Sequence, residues 1–479
     1  MSGITASLAS AGNALSVLEQ ALSVIQNNVD NASTPGYAKQ SLNLEAMPLD
    51  IAGGLVGGLM SAGLDNSRDP YAEEAVQSQT QALGFYTAQA QSTSTLQSFF
   101  DVTGTGGVSA ALNNLFQAFS AWSNSPSDTT ARQNVLDAAN SVAQSFQGLD
   151  NSLTQSAGQI DGQIGSTVSQ INTIAAQIQQ YNVNRLQSQQ PDPGADAQLY
   201  SALQNLSQLT NFTTVTQSDG TVTVLLAGGT PLVVGNQQYD LSSNIAVDSA
   251  PSPTYPNSLP TAHILDAQGN DVTSEITGGQ LGGLLDVRDR VLAGILGDAQ
   301  QQGTLNQLAQ GLADTVNGIL ESGTVSADPG AAAGSPLFTY DASNPAGIAS
   351  TIALNATITP DQLAPVDSSG NANGNAIALA ALENPAGTTG TIGGLSYLQY
   401  FGQIAGNVGQ ENQTATNNEQ MQQQVTAQAT SLRDQVSGVS LDQEASAILQ
   451  FQQAYQATAQ VLTVLDNLGQ DLMNLIVPA

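Results

Sequence analysis

Two apolar stripes at opposite ends of the chain restrict its fold more than anything between them. At the N-terminal end Ile4, Leu8, Ala11, Leu15, Leu18, Leu22, Ile25 and Val29 step by four and three without a slip, the a/d pattern of a coiled-coil seam. At the other end Leu441, Ile448, Phe451, Tyr455, Leu462, Leu465, Leu472 and Ile476 fall on one helical face, with Gln, Thr and Asp between them, and this predicts a long amphipathic helix. Gly438 breaks the chain before it, and Ser440 is placed as an N-cap with Gln443 three residues on. Asp442 and Glu444 load the first turn. Each stripe needs a partner to bury it. The two seams can supply one another in a hairpin of distant helices, while a bundle whose ends happen to meet has the same periodicity.

Between the seams the pattern runs out through helices, crosses a β unit and returns through helices. Leu42 and Leu44 alternate with Asn43 and Glu45 as a short strand, and the glycine-rich run 52–63, which lacks the Lys-Ser/Thr of a phosphate loop, reads as structural. Pro70 opens a helix, and Leu112, Leu115, Phe116, Phe119 and Trp122 give a dense aromatic face. Asp128 caps the helix that follows, which ends before Pro191. The period changes to alternation in 213–216, 221–226 and 232–234, with a Ser218-Asp219-Gly220 turn. Helix resumes at Gly283 and is expected to run through Leu320, and the irregular stretch after it carries one strand, 350–359.

The expected fold is mainly α with a smaller β part: paired N- and C-terminal coiled-coil helices, a long helical bundle and an inserted β-rich outer domain. The boundaries expected are 1–60 with 430–479 for a discontinuous terminal helical assembly domain, and 61–210, 276–325 and 375–429 for the helical bundle. The inserted β-rich domain takes 211–275, and an irregular insert with a short strand takes 326–374.

Composition narrows the function. Seven Lys and Arg stand against 38 Asp and Glu, a formal charge of -31, so nucleic acid and anionic membrane are poor partners. With no cysteine, disulfides, thiolate chemistry and Cys-based zinc sites are excluded. The N-terminal stretch lacks the basic region and continuous apolar run of a Sec signal peptide, and no stretch is uninterrupted enough for a membrane span. The lone His263 has no second His or hydroxyl motif beside it and reads as structural. Asp286, Arg288, Asp289 and Arg290 read as surface ion pairs, and Asp266 to Asp271 lacks the ligand spacing of a calcium loop. No catalytic, cofactor-binding or metal-ligating residue is assigned. A self-assembling structural protein accounts for the seams, whereas a secreted hydrolase with an unrecognised carboxylate site does not.

The residues after the first seam carry a family resemblance. Asn27, Asn28, Asn31, Thr34, Pro35, Gly36 and Tyr37 resemble the signature of the bacterial flagellar rod and hook axial proteins. Three more stretches narrow it: Leu112 to Phe116 with Trp122 and Ser125-Pro126-Ser127, Gly282 to Asp289, and Gly438 to Glu444 with Phe451 to Tyr455. Together these resemble the hook-associated subunits of the hook-filament junction. The stretch 112–127 argues against the alternative, another axial subunit of the hook or distal rod. The resemblance implies a structural subunit with no enzymatic role or cofactor, exported by the type III route to the extracellular flagellum. There it would assemble with itself into a ring or helical layer through the terminal seams, as part of the machinery of motility. It also implies the flagellar hook protein and the second hook-filament junction protein as partners, a cytosolic export chaperone on the C-terminal helix, and neither nucleic acid nor membrane insertion. The chain departs from the family at Leu199 to Leu206, where an Asp-x-Arg-Asp helix is often found, and in a shorter segment after Phe338.

Overall fold

The computed structural model describes residues 2–50, 55–100, 106–188, 192–246, 254–256 and 258–476. Its long helices begin where the sequence supplies caps. Asp69 accepts from the backbone N–H groups of Tyr71 and Ala72 at the start of α2 (Pro70–Gln97), and Pro70 has no N–H to leave unsatisfied. The helix α3 (Gly107–Asn124) carries the aromatic face. Asp128 and Asp192 cap α4 (Thr129–Gln187), which is 59 residues long, and α5 (Pro193–Leu209). Phe116, Phe119 and Trp122 are fully buried against α4; truncating any one of them costs about 3–5 kcal/mol. The helix α11 (Tyr397–Ser437) opens on a Ser396/Gln399 capping box and packs along α2. With so few cations available, this contact is made of amides and hydroxyls. Gln422 donates to Gln79 at 2.6 Å, Asn412 to Gln97 at 2.6 Å, and Thr87 to Glu419 at 3.1 Å.

The β unit rides on α4. Four antiparallel strands, β3 (Phe212–Thr216), β4 (Val222–Leu226), β5 (Pro231–Val234) and β6 (Gln237–Gln238), lie in sequence order, and β7 (Ser242–Ala246) pairs with β8 (Thr261–Leu265). Asn182 of α4 fixes the sheet: its amide donates to the Val222 and Gly235 carbonyls at 2.8 and 2.7 Å and its oxygen accepts from Val222 N at 2.8 Å. Asn172, ten residues earlier on the helix, holds Leu241 in the same way. Buried Asn182 and half-buried Asn172 thus replace the apolar contacts that so small a sheet cannot supply alone.

Three expectations are corrected. The run from Gly283 to Leu320 is not one helix: α6 (Gly279–Asp286) passes through a π-helical turn, Val287–Leu292, into α7 (Ala293–Leu296), and α8 (Thr304–Glu321) starts afresh. Gly297 and Gly303 make the break with φ of 93° and 83°, where a side chain would be strained. In the irregular insert the short helix α9 (Ile348–Thr351) occupies the start of the expected 350–359 strand. Only β10 (Ala353–Leu354) is extended, paired with β9 (Phe338–Thr339), before α10 (Gly374–Ala380) returns the chain to the bundle. The short strand at Leu42 is a long one, β1 (Gln40–Asp50), which forms a hairpin with β2 (Leu55–Asn66).

Candidate assembly surface

The two seams meet. The helix α1 (Ser2–Asp30) packs against α12 (Leu441–Ile476), and the pairing is antiparallel. Ile4 and Leu8 share a pocket of about 160 Å³ with Leu465 and Leu472, Tyr455 donates to Glu19 at 2.9 Å, and Asn28 reaches Glu444. The β1–β2 hairpin covers another side of α1, tied by a Ser10 hydroxyl bond to the Gly57 carbonyl at 2.8 Å. Leu18 and Ile25 are buried. Ile4, Leu8, Leu15, Leu22, Ile448, Phe451, Tyr455, Leu462, Leu465 and Leu472 are only half-buried, so the pair leaves apolar surface uncovered. Leu441, expected in the seam, is exposed at the first turn, and the side chain of Ile476 lies outside the described residues. Val461, Val464 and Leu468 form a second, exposed stripe on α12. Gly3–Asp30 is long and apolar enough to cross a membrane by length and composition alone, although polar residues interrupt its apolar run, and here it packs on α12 and the hairpin.

Below the pair, the three connections to the bundle are drawn into one joint. Asn28 is its centre, fully buried. Its amide donates to the Gln40 carbonyl at 2.8 Å and to Glu444 Oε2 at 3.1 Å, while its oxygen accepts from Gln40 N and the Tyr37 hydroxyl, both at 2.9 Å. Glu444 is buried too and is neutralised by Lys39 at 2.9 Å, so the charge expected to serve the dipole of α12 serves the joint instead. Burial, and then the Glu444 charge, push the Tyr37 hydroxyl above its ordinary value. Asn27, Asn31 and Thr34 bond to one another in the turn that follows. Gly36 has φ 75° and lies so close to α5 that a Cβ would collide with the Ala197 carbonyl oxygen. Thr34, Pro35 and Tyr37 line a groove of about 680 Å³ against α4 and α5.

Arg68, between the hairpin and α2, was not singled out by the sequence. It donates to Glu73 and the Gly36 carbonyl and stacks 3.6 Å from the Tyr200 ring centroid, a desolvated ion pair with a cation–π contact. Ser437 accepts from Lys39 N and Asp69 N at the end of α11. Two of the seven basic residues lying within the linkers was the signal available for this joint.

The acidic and basic groups weighed for chemistry are structural in their contacts. His263 pairs with Asp271 at 2.7 Å. Arg290 bonds Asp286 and Glu411 on the surface, but Arg288 is buried and meets Asp161 at 2.7 Å, which corrects its reading as a surface pair. Burial raises Asp289 to about 6. Among the described residues no group of three or more His, Cys, Asp or Glu is placed to hold a metal.

Residues 93–338 match the family described as the flagellar hook-associated protein FlgK helical domain. The chain belongs to that family. Residues 433–475 match the flagellar basal body rod FlgEFG protein C-terminal family. Flagellar hook-associated protein 1 of Bacillus subtilis (strain 168) is 26% identical over 510 residues, spanning 98% of this chain and 97% of that protein. That of Escherichia coli (strain K12) is 24% identical over 555 residues, spanning 96% and 98%. The solved flagellar hook junction protein FlgK from Burkholderia pseudomallei superposes with a TM-score of 0.60 at 17% identity, covering 76% of this chain and all of that one. The mainly α fold with a smaller β part is therefore that of the family.

Proposed function

We infer that this chain is a structural subunit of the bacterial flagellum that joins hook to filament, assembling through its terminal helices. The observation that carries this is the α1–α12 pair: two helices from opposite ends, closed on each other along a half-buried seam, with the Val461, Val464 and Leu468 stripe left outward. Such a surface suits an assembly interface, since apolar stripes left outward are buried by neighbours. The seam residues and the Asn27 to Tyr37 motif then divide the work, the first closing α1 on α12 and turning their uncovered edges to other subunits, the second setting the pair on the bundle. The division at 1–60 with 430–479 follows from this role, leaving 211–275 outermost.

In this reading the chain forms a ring or helical layer with copies of itself, contacts the hook protein on one side and the second junction protein on the other, and reaches the cell exterior by the type III route. A cytosolic chaperone covering the C-terminal helix keeps the apolar stripe from aggregating before export. A hook or distal rod subunit would share the C-terminal match at 433–475, but the match at 93–338 favours the junction. Imaging appendages purified from cells whose only copy is tagged tests the reading. A thin band of label at the hook-filament boundary is expected, and label along the whole hook, along the rod or nowhere would overturn it.

A further inference from the structure

Away from the terminal pair, the lower half of α11 presents two unlike flanks. Met421, Val425, Leu432 and Val436 fall within roughly 60° of one another at 3.6 residues per turn, and three of the four are 57% exposed. They make an apolar ridge. On the far side of the contact with α2, Thr426, Ala427, Thr430 and Ser431 wall a shallow groove of about 680 Å³ whose other wall includes Leu83. The ridge runs over residues 421–436 and the groove over 423–435, so they are matched in length and level.

We propose that α11 carries both halves of a head-to-tail contact between copies of this chain, the ridge of one entering the groove of the next. This rests on the assembly reading above and places a second contact within the bundle. One helix cannot fit its own ridge into its own groove, and a contact that uses different surfaces on the two partners generates a ring or a helical layer. The chemistry of the two surfaces agrees. The methyls and hydroxyls of the groove accept apolar side chains, Gln423 and Gln435 stand at its edges, and Asp434, the carboxylate in its lining, is already paired with Arg433, which also lies 3.8 Å from Glu73, so the ion pair there is closed within the chain. The ridge also continues the assembly surface: exposed Val436 stands just before the joint, and exposed Leu441 and Leu449 follow on α12.

The absence of cysteine makes the test clean. Cells co-expressing a Leu432→Cys chain and an Ala427→Cys chain are to be grown, so that no chain carries both thiols on its one helix, and intact appendages treated with a short bis-maleimide. A linked dimer from the mixture, and no link from either variant expressed alone, is the expected result. A dimer from Leu432→Cys alone would mean like surfaces facing one another and overturns the proposal, as does the lack of a dimer when both variants are present at the junction. Ala427→Trp and Leu432→Glu, each with its monomer melting temperature measured, provide a second reading. More than tenfold less chain at the junction with unchanged melting supports the contact, and seating at the wild-type level overturns it. Absence of even the unsubstituted chain from the junction would instead be the failure of the assembly reading itself.

Discussion

Asn28 shows how one amide can hold two ends of a chain. Replacing it with Ala removes four hydrogen bonds and leaves the Glu444 carboxylate and the Gln40 backbone buried with fewer partners, at a cost of about 3 kcal/mol. Hydrogen exchange should then accelerate in α1 and α12 while α4 stays protected; unchanged exchange in α12 would refute the role. Gly36→Ala should cost roughly 2 kcal/mol or more, because strain at φ 75° adds to the clash with α5. Asp150, buried on α4, behaves differently. Burial raises its carboxyl to about 6, above the ordinary 3.8, so the native state holds the proton more tightly than the unfolded chain does. The stabilising contribution is complete below the lower value and is lost as pH rises through the upper one. Asp150→Asn should therefore be more stable than the parent by roughly 2 kcal/mol at about pH 7.5 and nearly equal to it at about pH 4, as urea midpoints would show. None of these roles is visible in the sequence, where Asn28 is one of several motif asparagines and Asp150 one of many helix carboxylates, because partners 416 residues apart and the depth of a carboxylate are set only by tertiary packing.

Helices were the legible part. The helices carrying the stripes of α1, α3, α4 and α12, the cap at Asp128 and the opening at Pro70 stand in the structure where the sequence puts them, since periodicity and capping are local, whereas the caps at Asp69 and Asp192 were not read from it. The failures were also local in origin. Gly297 and Gly303 interrupt an apolar period that continues on either side, and the β1–β2 hairpin has glycines in place of the alternation that marks a strand. The element most open to test is α12. Ala454 is exposed between Phe451 and Tyr455, so Ala454→Pro leaves the bundle alone but removes a hydrogen bond and clashes with the preceding turn, at about 3 kcal/mol or more. The main thermal transition of the purified chain should stay within a few degrees of the parent, while cells carrying only the variant shed filament subunits into the medium. A large fall in that transition, or normal filaments, would show that α12 does not act as an assembly element.

The molecule as a whole commits its cations to partners within the chain. Lys39, Arg68, Arg288, Arg290 and Arg433 are paired with carboxylates, Arg132 with the carbonyls of Pro126 and Pro360, and Arg185 lies beside Asp219. What remains outside is acidic, so copies repel over distances set by the Debye length, about 30 Å at 0.01 M salt and 8 Å at 0.15 M. Light scattering from the purified chain should show strong repulsion at the lower salt that weakens at the higher, and no change across that range would contradict the picture. The clamp between Asn28 and Glu444 has a further consequence for biosynthesis. Its two sides are separated by nearly the whole length of the polypeptide, so the first helix waits without α12 through most of translation, with only the β1–β2 hairpin to cover it, and closing so long a loop is slow. A product released by the ribosome before Glu444 leaves the Asn28 amide short of an acceptor and the α12-facing side of α1 bare, so truncated chains should be cut by protease within α1 faster than finished ones, which can close.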